Sequence, residues 1–93
     1  MWTESNSFKI SRELPFQQIH EDYILLDSKN AKAHELNVVA FSIWQQLHVE
    51  KPYQELLAEL MNEFEIDLDS LKRDLSLFIN DLLTKDLITI TNG

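Results

Sequence analysis

His20, His34 and His48 have the most obvious capacity for metal or acid–base chemistry in this chain, and their spacing works against both. A zinc site needs three or four ligands converging from short, characteristic spacings. Here the histidines lie far apart, and no cysteine joins them. The acidic string Glu63, Glu65, Asp67, Asp69 has the alternation of a calcium loop but lacks its turn glycine and closing bidentate Glu. It reads as a helix cap with a solvated surface. The serines (Ser5, Ser7, Ser11, Ser28, Ser42, Ser70, Ser76) sit in no nucleophile elbow, and no glycine-rich phosphate loop is present. The chain is therefore expected not to be an enzyme, and to hold no metal and no cofactor.

One residue group has a different chemistry. On a helical wheel for the segment after Asp67, Leu71, Leu75, Phe78 and Leu82 centre one apolar stripe. Leu77 falls outside it, sharing its flank with Asp74 and Asp81 one turn to either side. An apolar side chain framed by two carboxylates suits a groove for a peptide with apolar and basic side chains. Its alternative is an isolated exposed leucine, a common surface feature.

The elements that would position this flank follow from hydrophobic periodicity. At 93 residues the chain supports one domain with a modest core. Residues 1–14 show no sustained period and read as a loosely ordered arm, followed by a single domain over residues 15–91. Phe16 to His20, Asp22 to Asp27 and Lys32 to Leu36 are short and β-prone, with Asp27-Ser28-Lys29-Asn30 as a turn cluster. Asn37 then suits a helix N-cap, and Ala40, Ile43, Trp44 and Leu47 follow at helical spacing. Pro52 fits the first turn of a second helix with Tyr53, Leu56, Leu57, Leu60, Met61 and Phe64 inward. Asp67 caps a third, with Asp69 favourable in its first turn. Leu87 to Thr91 suits a closing strand. The expected fold is α+β: a three-stranded antiparallel sheet followed by three helices, in winged helix-turn-helix order.

Charge narrows the partners. Eight basic against sixteen acidic residues leave a net charge of −8. Nucleic-acid binding needs lysines and arginines to displace phosphate counterions, and from Pro52 to Thr84 only Lys72 and Arg73 qualify. Acidity instead favours a basic or neutral peptide partner, or serves solubility alone. No apolar run resembles a signal peptide or a membrane span, so the expected location is cytoplasmic, with no membrane partner.

The order of fixed positions from Leu36-Asn37, through Ala40, Ile43, Trp44 and Leu47, to Phe64, then Asp74-x-x-x-Phe78-x-x-x-Leu82 and Leu87-Ile88, resembles the PqqD-like family. These winged-helix modules are also called RiPP recognition elements. The resemblance implies a stand-alone element that binds the leader segment of a ribosomal precursor peptide. It would act as a peptide chaperone, presenting the leader to a modifying enzyme such as a leader peptidase and cyclase pair or a radical enzyme. Family members take the leader as an added strand on the third strand, against the third helix. Carried onto this chain, the peptide-binding residues are Lys32, Ala33, His34, Glu35 and Leu36 with Asp74, Leu77, Phe78 and Asp81. Two departures stand out. Asn30-Ala31 and Asp86 occupy places where members often carry glycine, so the turns there are expected to differ in shape. The alternatives are a winged-helix regulatory module and an acidic mimic of nucleic acid.

Overall fold

The computed structural model describes residues 2–91. In chain order the elements are Ser7–Ile10 (β1), Phe16–Ile19 (β2), Asp22–Asp27 (β3), Lys32–Leu36 (β4), Val38–Gln46 (α1), Lys51–Pro52 (β5), Tyr53–Glu63 (α2), Leu68–Thr84 (α3) and Ile88–Thr91 (β6). The expected meander is present as one antiparallel sheet in the order β2-β3-β4, leaving β4 at an edge. The fold class is α+β with three helices, as periodicity predicts.

The structure corrects the reading of residues 1–14. Its first residue lies outside the described residues, but Ser7–Ile10 is the central strand of a second antiparallel sheet, β5-β1-β6. Phe8 is fully buried there. Three backbone bonds stitch the segment to distant parts of the chain: Tyr53 N to Asn6 O (3.0 Å), Ile10 N to Leu47 O (2.9 Å) and Ser11 N to Leu87 O (2.9 Å). A four-residue strand whose partners lie tens of residues away leaves no local periodic signature, which is why composition alone reads it as loose.

The helices start where side chains supply the missing acceptors. Asn37 Oδ1 accepts from Ala40 N at 2.8 Å, and Asp67 Oδ2 accepts from Ser70 N at 3.2 Å. Pro52 sits at the N-cap of α2, one residue ahead of the expected first turn, because it also pairs with Ser7 in β5. Trp44, Leu47, Tyr53, Leu56, Leu60, Leu71, Leu75, Ile79 and Leu82 form the helical part of one core, closed by Phe8 and Leu25 from the sheets and by Leu87 just before β6. Met61, assigned inward by periodicity, is exposed instead.

The two turns expected to differ in shape, at Ala31 and Asp86, have a backbone that glycine would favour. Ala31 has φ 52° and Asp86 has φ 58°, both in the left-handed region. A side chain with a Cβ is unfavourable there, so both turns carry local backbone strain.

Candidate functional site

The direction of each backbone group on β4 follows from one hydrogen bond. Leu26 N donates to Pro15 O at 2.8 Å, so Leu26 turns its polar groups toward the β2 side. Alternation along β3 then aims Leu25 and Asp27 at β4, where their partners are His34 and Lys32. The amides and carbonyls of Lys32, His34 and Leu36 are consequently consumed inside the sheet. Those of Ala33 and Glu35 point outward from the free edge.

That edge forms one wall of a groove, and α3 forms the other. The half beside β4, about 340 Å³, is lined by Ala33, His34, Glu35 and Leu36 opposite Phe78, Asp81, Leu82 and Lys85. A second half, about 380 Å³, continues toward the start of α1. It is bounded by Val39, Ala40, Ile43 and Ile66 together with Asp74, Leu77, Phe78 and Asp81. Asn37, Ala40, Phe78 and Asp81 belong to both halves, so the two form one continuous channel. Its far half is the more apolar, supplied by Ile43, Ile66, Leu77 and Phe78.

The structure thus brings together eight of the nine residues singled out from the sequence. Ala33, His34, Glu35 and Leu36 lie on one wall, and Asp74, Leu77, Phe78 and Asp81 on the other. Lys32 lines neither half; it pairs with Asp27 at the turn end of the strand. Leu77 is 64% exposed, whereas Leu71, Leu75, Ile79 and Leu82 on the same helix are buried. Phe78 is half-buried and serves core and groove at once.

The acidic framing of Leu77 is partly neutralised. Lys85 Nζ lies 2.9 Å from Asp81 Oδ2, and Arg73 Nε lies 3.8 Å from Asp74 Oδ1. Lys72 stands 3.9 Å from Glu4. Both basic side chains of the Pro52 to Thr84 segment therefore face carboxylates, and α3 presents no free cationic row of the kind a phosphate backbone needs. Among the described residues, no group of three or more His, Cys, Asp or Glu is placed to hold a metal ion. No helix of the described residues is long and apolar enough to cross a membrane.

A polar cluster behind β4 was not legible beforehand. Asp27, only 3% exposed, receives Arg12 Nη1 on Oδ1 and Nη2 on Oδ2, each at 2.8 Å. Asn30 adds its backbone N on Oδ1 (3.2 Å) and its Nδ2 on Oδ2 (3.0 Å). The Arg12 hydrogen bonds, with Asn30 second, hold the Asp27 carboxyl well below the usual carboxylate range despite its burial. His34 Nε2 approaches the same carboxylate at 3.8 Å. From sequence, Asp27 and Asn30 signalled only a turn, and nothing tied Arg12 to them.

Comparisons with known proteins point the same way as this geometry. No curated protein matches the chain. Among solved structures, the chain is similar to one described as TbiB1 in complex with the TbiA(beta) leader peptide. The TM-score is 0.69 at 28% identity, over 86% of this chain and 93% of that one. The family described as coenzyme PQQ synthesis protein D (PqqD) matches residues 22–88, from the start of β3 to the first residue of β6. The span takes in both walls of the groove, and this chain belongs to the PqqD family.

Proposed function

We propose that this protein is a RiPP recognition element that binds the leader segment of a ribosomal precursor peptide by strand addition to β4 and holds it against α3. The observation that carries this reading is the free edge itself. Two successive outward positions, Ala33 and Glu35, offer unpaired backbone groups directly beside a groove whose far half is apolar. Backbone pairing of this kind supplies affinity with little regard to sequence, while pockets for alternate side chains supply selectivity. An unpaired edge usually invites self-aggregation; Lys32 and Glu35 on β4 oppose that while leaving the backbone open to a cognate strand. The peptide-binding residues are Ala33, His34, Glu35, Leu36, Asp74, Leu77, Phe78 and Asp81, with Lys32 at the margin.

The protein acts by holding and presenting its peptide, and a separate modifying enzyme performs the chemistry in the cytoplasm. Titrating the 15N-labelled protein with synthetic leader segments from precursor genes encoded nearby tests the reading. Saturable shifts at Ala33 to Glu35 together with Asp74 to Asp81 are expected. Shifts confined to α2, or none with any leader, would refute it.

A further inference from the structure

We propose that His34 is a specificity-determining residue of the groove, accepting a hydrogen bond through Nδ1 from a hydroxyl or amide side chain of the bound peptide, with Asp27 as the positioning residue behind it. The inference rests on the peptide-binding reading and names the chemistry one position of that peptide should carry.

Three observations support it. First, the His34 side chain is only 10% exposed, yet it lines the half of the groove beside β4. Second, its Nε2 is sealed from solvent with no hydrogen-bond partner and lies 3.8 Å from Asp27 Oδ2. Arg12 and Asn30 already occupy both Asp27 oxygens twice over, which leaves His34 facing a carboxylate whose acceptor sites are filled. A lone pair on Nε2 would point at that negative charge, whereas an N–H there is attracted to it. The proton of the neutral imidazole therefore belongs on Nε2, and Nδ1 is left as the acceptor. Third, His34 spends its backbone groups on Leu25, so an antiparallel strand added outside β4 meets it as a non-hydrogen-bonded pair. Cross-strand side chains approach most closely in such pairs. One peptide side chain must therefore stand directly opposite His34, between it and the α3 wall of Phe78, Asp81 and Lys85. A donor there satisfies Nδ1; an aliphatic isostere leaves it unmet, and a carboxylate finds no proton to accept.

The test uses a positional-scanning library of acetylated, fluorescein-labelled decapeptides in which Thr, Val and Asp are compared at each position. For the intact protein we expect one position at which Thr exceeds Val by about fivefold, the loss of one net hydrogen bond, with Asp weakest. His34→Leu should abolish that ratio, with Thr and Val peptides then bound equally to within about twofold of each other. His34→Asn, which keeps an acceptor near the Nδ1 position, should preserve the ratio, and His34→Gln should not. A Thr-to-Val ratio unchanged in His34→Leu overturns the role of His34 and leaves peptide binding itself standing. A folded protein that binds no library peptide overturns both. Independently of any peptide, 15N chemical shifts of the His34 ring in the free protein should report the Nε2–H tautomer at neutral pH. An Nδ1–H tautomer there overturns the inference.

Discussion

Arg12 and Asp27 meet through two parallel 2.8 Å hydrogen bonds that fasten the segment between β1 and β2 to the turn after β3. Fork-to-fork pairs of this geometry combine charge with fixed orientation. The pair thus holds the turn that launches β4, and with it the register of the free edge.

The first prediction concerns pH. The Asp27 carboxyl is depressed chiefly by Arg12 and then by Asn30, so the unfolded chain takes up its proton more readily than the folded one. The stabilisation is present above the ordinary aspartate range, near ~3.9, and is lost as pH falls through the lower folded value. Chemical unfolding of the protein and of Asp27→Asn should therefore differ most at about pH 6, with the gap narrowing toward about pH 3. A gap of constant size would show that the Asp27 charge is not what stabilises the turn.

The second concerns the core. Trp44 is 1% exposed and is among the largest fully buried side chains. Trp44→Ala should cost on the order of 3–5 kcal/mol, a large share of what a domain this size possesses. Urea unfolding checks it, and an unchanged midpoint would refute the assignment of α1's inner face.

The third exploits strain. Ala31 holds φ 52° in the β3–β4 turn, where its Cβ is unfavourable and glycine is not. Ala31→Gly relieves that strain but adds freedom to the unfolded chain, so a net gain of roughly 0.5–1 kcal/mol is expected. Thermal melts read the sign directly; a loss of stability would mean the turn does not need this conformation.

The meander, the three helices and their Asn37 and Asp67 caps were legible because each is written in local periodicity or capping chemistry, whereas the facing of the β4 edge and α3 came only from the family resemblance. Strand β1 was not, since Ser7 to Ile10 gains its meaning from Thr91 to Ile88 and from Lys51 and Pro52. The Arg12–Asp27–His34 cluster was hidden for the same reason: its members lie on three segments that only the fold unites. Leu77 was readable as an outlier because a helical wheel needs no tertiary information.

The fourth prediction separates groove from core. Leu77 is 64% exposed in the free protein, so Leu77→Asp should leave stability within about 0.5 kcal/mol. Leader affinity should fall at least about tenfold, because a carboxylate would then be desolvated in the apolar half of the channel. Calorimetric titration beside an unfolding curve resolves the two effects. A variant that unfolds with no separable binding defect would place Leu77 in the core.

Amide hydrogen exchange across β4 tests strand addition most directly. In the free protein the His34 amide should be protected by Leu25, while those of Ala33 and Glu35 exchange rapidly at the open edge. Saturation with a leader peptide should slow exchange at Ala33 and Glu35 together and leave His34 protected throughout. If Ala33 and Glu35 stay fast in a fully bound complex, the peptide is not an added strand on β4 and the proposed mode of binding is wrong.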